Sequence, residues 1–188
     1  MVYHKQTKSP IHAEPIHSII AEFTENHVLP FMNSILTNPN ITELEGTILT
    51  ILHWIGEAQN EFDIDVAFVK YWTVIESAFT GRSANIQHTL ASCTSTVIRF
   101  SGYVLEEAID AKHIHRRVIK LYDKRSNIIH RGMRGYITYC DLGEICKYSA
   151  WVVLSLIDLS MKGYSTIEQI KPEIDRLCRL INDKPLYP

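Results

Sequence analysis

From Thr42 onward, apolar residues recur at every third or fourth position and do not alternate with polar ones, which is the spacing of helix faces rather than of strands. Leu44, Ile48, Ile51, Leu52 and Ile55 line up behind Thr42-Glu43-Leu44-Glu45, a run with a capping residue and a glutamate three positions on. A second helix is expected from Ile64 to Phe79, and a third, more polar one from Ala84 to Ser101 with Ile86, Leu90, Val97 and Ile98 inward. The fourth covers Glu106 to His130. The fifth, Leu142 to Met161, is apolar on most sides and is expected at the centre of a bundle or in a subunit interface. Ser165-Thr166 opens the last amphipathic segment, where Ile167, Ile170, Ile174, Leu177 and Ile181 align and Pro172 marks a kink or the true first turn. Upstream, Ile16, Ile19, Ile20 and Phe23 start a short helix. After Pro30, the residues Phe31, Met32, Ile35 and Leu36 make a further turn or two before the break at Asn38-Pro39-Asn40. The pattern predicts an all-α, antiparallel helical bundle of about five to seven helices. It reads as one compact domain, with an N-terminal helical extension over residues 1–40 and the bundle over 41–188.

One position on the fourth helix breaks the pattern. Ile114, Val118, Leu121, Tyr122, Ile128 and Ile129 form its apolar face, and Arg125 stands on that face one turn beyond Leu121 and one turn before Ile129. A guanidinium keeps its proton, so an inward-facing arginine calls for an anion: a carboxylate of the same fold, a ligand phosphate, or each in turn. Glu76 is the natural carboxylate, one turn after Trp72 on the flank of the helix that also carries Phe68 and Ile75. The pairing has two readings, a structural ion pair that sets helix register or an orienting contact that holds Arg125 for a phosphate. Five residues on comes His130, the side-chain type that exchanges protons near neutral pH, with Gly132 just beyond it to end the helix. Arg125 and His130 lie about 140° apart around a regular helix, so they do not share a face. Arg82 and His88 have a comparable spacing, but Arg82 follows Gly81 in an expected turn and reads as a solvated loop residue.

Charge sharpens the interest in this segment. The chain of 188 residues has a net charge of -2, yet Lys112, Arg116, Arg117, Lys120, Lys124, Arg125, Arg131 and Arg134 stand against the single acid Asp123 between residues 112 and 134. Taken alone, such a run is a solvated face whose acids lie on neighbouring helices. Coinciding with the Arg125/His130 pair, it points to a surface that binds a polyanion. Cys93, Cys140, Cys146 and Cys178 show no paired spacing and no neighbouring histidine at zinc-ligand spacing, so reduced thiols in a cytoplasmic protein are expected, with no disulfide framework, metal or cofactor. The start of the chain lacks the apolar core of a secretory signal. Residues 150–159, the most apolar run, contain Ser155 and Asp158 and are too short to span a membrane.

Arginine, four residues, then histidine, near the end of a helix in an all-helical chain, resembles the motif of the HEPN superfamily. The run from Leu121 to Gly132, together with Phe68-Val69-Lys70-Tyr71-Trp72-Thr73-Val74-Ile75-Glu76-Ser77-Ala78-Phe79, is similar to the Apea-like HEPN branch, and the likeness extends from about Leu44 to about Leu159. The resemblance implies a metal-independent endoribonuclease, a toxin or defence effector that leaves 2',3'-cyclic phosphate ends. It implies a homodimer in which two motif helices meet across a dyad, with RNA as the substrate and an antitoxin or another defence protein as a further partner. Arg125 would stabilise the phosphorane, His130 would act as general base or acid, and Asn127 would orient one of them. Arg116, Arg117, Lys120, Lys124, Arg131 and Arg134 would bind RNA. The alternative is a non-catalytic HEPN-like dimerisation or nucleic-acid-binding module.

Overall fold

A computed structural model of the protein describes residues 27–79, 85–100 and 111–183. Among them every regular element is a helix: α1 (Val28–Thr37), α2 (Glu43–Gln59), α3 (Ile64–Phe79), α4 (Ile86–Phe100), α5 (Ala111–Arg131), α6 (Tyr139–Met161) and α7 (Ile167–Asp183). The chain divides into two units, Met1–Pro39 and Asn40–Pro188. The expected helix around Ile16 to Phe23 lies outside the described residues. In the first unit α1 begins at Val28, before Pro30 rather than after it. That places the proline within the first turn, where its missing N–H would have had no helical partner in any case.

The second unit is an all-α bundle, and local chemistry sets where its helices begin. Thr42 caps α2 reciprocally: its hydroxyl accepts from the Glu45 N–H at 3.2 Å, and Glu45 accepts from the Thr42 N–H at 2.6 Å. Asp63 opens α3 by accepting from the N–H groups of Asp65 and Val66 at 2.9 and 3.2 Å. α6 starts at Tyr139, three residues before the expected Leu142, because Thr138 and Asp141 form a second capping box. α7 begins at Ile167, five residues before Pro172, so the proline is not the first turn.

α6 is the central helix, packed on α2, α3 and α4, with Ile145, Val152, Leu156 and Ser149 fully or almost fully buried. The Ser149 hydroxyl donates to the Tyr71 carbonyl of α3 at 3.1 Å, so even its buried polar group is satisfied. Leu44, Ile48 and Ile51 of α2, and Phe68, Trp72 and Ile75 of α3, complete this core. α5 lies against α4 and α3, and buries Ile114, Val118 and Leu121. Ile86, expected to face inward, is 44% exposed in the first turn of α4, whereas Leu90, Val97 and Ile98 are buried as expected.

Candidate functional site

The apolar face of α5 stops short of the helix end. Ile114, Val118 and Leu121 are fully buried, Tyr122 and Ile128 are half-buried, and Ile129, expected on the same face, is 48% exposed. The last turn of α5 therefore stands clear of its neighbours and carries His130 and Arg131, both exposed. Gly132 closes it with a φ of +62°, donating its N–H to the Ile128 carbonyl at 3.1 Å, while Met133 donates to the Asn127 carbonyl at 3.4 Å. A left-handed residue at this point favours glycine because a Cβ is strained there.

Arg125 faces α3. Its Nη2 lies 2.9 Å from Glu76 Oε1 and 3.0 Å from Oε2, and the two side chains are 20% and 22% exposed. One turn back along both helices, Trp72 and Tyr122 meet edge to face with ring centroids 5.8 Å apart. The α3/α5 crossing is thus built of two rungs, one aromatic and one ionic. The ionic rung is incomplete on the arginine side: Nε of Arg125 is buried with no hydrogen-bond partner. An unsatisfied buried donor costs about 1–3 kcal/mol. Turning the guanidinium toward an oxyanion would remove that penalty.

Within one chain the motif residues are not brought together. Arg125 is turned to Glu76 while His130 stands exposed at the helix end, as the angular separation predicts. Asn127 is half-buried between them in the sequence.

The basic run is more engaged than the sequence discloses. Arg117 pairs with Glu144 through Nε at 3.0 and 2.9 Å and through Nη2 at 2.5 Å, and Lys124 donates to Asp141 at 2.6 Å. These acids lie on α6, so for Arg117 and Lys124 the solvated-face reading is the structural one. Arg134 lies 3.8 Å from Asp63, a loose surface contact, and Arg116 donates to the Lys112 carbonyl at 3.2 Å. Arg116, Lys120, Arg131 and Arg134 are exposed. Asp123, the one acid of the run, accepts from Gln87 of α4 at 2.9 Å.

Asp141 and Glu144 answer to the same balance. Burial pushes both carboxyls up, but for Asp141 the Lys124 ammonium with the hydroxyl and N–H of Thr138 outweighs it, and for Glu144 the Arg117 guanidinium and the Tyr148 hydroxyl do so. Both are held below the ordinary carboxylate range. Because the unfolded chain takes up these protons first, the stability they contribute is complete at neutral pH. It is lost as pH falls below about 4 and on through the lowered native values. Urea midpoints measured from pH 7 to pH 3 should stay level to about pH 5 and then fall. In Asp141→Asn/Glu144→Gln that acid limb should flatten, and a limb unchanged from wild type would remove the assignment.

Three acids that position the site were not singled out by the sequence. Besides Asp141 and Glu144, the buried Asp65 accepts from the N–H groups of Gly135 at 2.6 Å and Ile137 at 3.3 Å. It ties the loop after the motif helix to the start of α3. Thr138-x-x-Asp141 was legible as a capping signal, whereas Asp65 and Glu144 carry no local sequence mark. His115 faces His88 of α4, with ring centroids 5.8 Å apart, and burial, then His88, lowers its pKa. Arg82 lies outside the described residues. Among the described residues no group of three or more His, Cys, Asp or Glu is arranged to hold a metal ion, and no helix is long and apolar enough to cross a membrane.

No family model matches the chain, and neither a curated protein nor a solved structure matches it significantly.

Proposed function

We propose that the protein is a HEPN-type endoribonuclease that cleaves RNA without a metal, as a homodimer and as a toxin or defence effector in the cytoplasm. The observation that carries this reading is the arrangement on α5. An arginine of the Arg-x4-His spacing is three-quarters or more buried against Glu76 with its Nε unsatisfied, and its histidine is exposed on a glycine-terminated last turn. A guanidinium held in place by a carboxylate, yet with a donor in excess, is suited to donate to a phosphate oxygen.

Because one chain keeps Arg125 and His130 apart, the active site is assigned to two copies whose α5 ends meet. His130 takes the proton of the ribose 2'-hydroxyl, the 2'-oxygen attacks phosphorus, and the P–O5' bond breaks. The leaving 5'-oxygen then receives a proton from the second His130. Arg125 offsets the charge on the phosphorane oxygens, and Asn127 orients the imidazole. The products are a 2',3'-cyclic phosphate and a 5'-hydroxyl. Purified protein is expected to cleave single-stranded RNA equally well in excess EDTA, with cyclic phosphate ends detected by mass spectrometry. A requirement for added divalent metal would overturn the mechanism.

The separation of Arg125 from His130 favours a second reading, a non-catalytic nucleic-acid-binding or dimerisation module in which the Arg125–Glu76 pair is structural. Tight RNA binding with no cleavage of varied single-stranded substrates would establish it.

A further inference from the structure

His88 of α4 and His115 of α5 face each other with ring centroids 5.8 Å apart, and the cleavage chemistry proposed above uses neither. The backbone that carries them is held on both helices. Asn85 accepts from the His88 N–H at 3.4 Å at the start of α4. Gln87, the residue before His88, donates Nε2 to the Ile119 carbonyl of α5 at 3.2 Å and to Asp123 at 2.9 Å. The pair is therefore set by the crossing of two helices that are clamped one residue away. His88 is exposed and His115 half-buried, and no ring nitrogen of either is sealed from solvent. Among the described residues, neither imidazole has a hydrogen-bond partner for its ring nitrogens.

Two neutral imidazoles offer two lone pairs to one electron-poor centre. With Zn–N bonds of about 2.0–2.1 Å, two imidazoles on one tetrahedral ion have centroids about 5 Å apart, so rotation of the side chains by less than about 1 Å of travel closes the pair on an ion. The neighbourhood selects which ion. α4 contains no acid, and Asp123, the one acid of α5, is taken by Gln87. Lys112 and Arg116 flank His115 along α5. Mg2+ and Ca2+ need several oxygen ligands and gain from carboxylate charge, which these two helices do not supply here. Zn2+, Ni2+ and Cu2+ instead take neutral imidazole nitrogen. Two protein ligands leave the other positions to water, the open arrangement of an exchangeable ion rather than the closed one of structural zinc.

We infer that His88 and His115 together bind one late first-row divalent cation, Zn2+ in the first instance, which ties α4 to the helix that carries Arg125 and His130. The ion stabilises the folded chain by mass action, because unfolding leaves two ligands 27 residues apart with no fixed geometry. The site is independent of the ribonuclease reading. His115 and His130 are 15 residues apart, about 22 Å along α5, so an ion held here does not touch the proposed cleavage step.

Thermal melts of the metal-free protein with increasing Zn2+ test the site. At ten times the dissociation constant, wild type should gain about 3–6 °C in Tm, reversed by EDTA, and Mg2+ should add nothing. His88→Ala, at an exposed position, should keep the metal-free Tm and lose the gain, whereas His53→Ala, at an exposed histidine of α2, should retain it. In wild type, the imidazole NMR resonances of His88 and His115 should move together as Zn2+ is added. An equal gain in wild type and His88→Ala would overturn the site, as would Zn2+ shifts confined to other histidines or loss of free thiols on titration. No gain with either Zn2+ or Ni2+ would overturn it as well, and none of these outcomes alters the cleavage expected in excess EDTA.

Discussion

His130→Ala should abolish RNA cleavage while leaving the fold untouched. The imidazole is exposed on the last turn of α5, beyond the point where the apolar face of the helix ends, so its removal deletes no core contact. An exposed substitution of this kind changes unfolding free energy by less than about 0.5 kcal/mol. Loss of a general acid or base costs about 100- to 10,000-fold in rate, and in the proposed dimer one substitution would remove both copies. Single-turnover cleavage of a labelled RNA, with a urea melt on the same preparation, gives the two numbers. Undiminished cleavage by the well-folded variant would take His130 out of the reaction and overturn the proposed mechanism.

Arg125→Ala should fail in both assays, and that contrast separates two residues of one motif. Its guanidinium is the partner of Glu76, and both side chains are about four-fifths buried. Removing it strands a carboxylate that is 22% exposed. A fully buried pair broken this way costs about 3–5 kcal/mol and an exposed one under about 1, so a loss of about 2 kcal/mol is expected at this depth. Glu76→Gln in the same chain should recover part of that loss, because the stranded charge is gone, while cleavage stays absent. Glu76→Gln alone is the informative control. If Glu76 only orients Arg125, cleavage should fall less than in Arg125→Ala, since the guanidinium itself remains to meet the phosphate. Full stability of Arg125→Ala would mean that the pair contributes nothing to the fold.

The two rungs between α3 and α5 explain why the pair is placed with such economy of local signal. Trp72 and Glu76 are one turn apart on α3, and Tyr122 and Arg125 are one turn apart on α5, so a single crossing aligns ring with ring and charge with charge. Such a crossing also holds Arg125 away from His130. The helix runs unbroken through both residues, from Ala111 to Arg131.

Helical periodicity by itself determined the all-α class, the extent of α3 from Ile64 to Phe79, the capping of α2 by Thr42 and Glu45, and the end of α5 at Gly132. These depend on contacts within a few residues, and the local pattern contains them. It also determined that Arg125 needs an anion, because a permanent charge on an apolar face has few other solutions, and Glu76 was the natural carboxylate on the flank of α3. Only the tertiary structure decided what the rest of the basic run does. Arg117 and Lys124 are matched by Glu144 and Asp141 of α6, partners 27 and 17 residues away that no periodicity of α5 announces. The exposure of Ile129 and Ile86 was likewise not local, since a helix face is buried only as far as a neighbouring helix runs beside it. Asp65 is the plainest case. Its carboxylate binds backbone N–H groups 70 and 72 residues away, and a backbone donor has no side chain by which sequence could mark it.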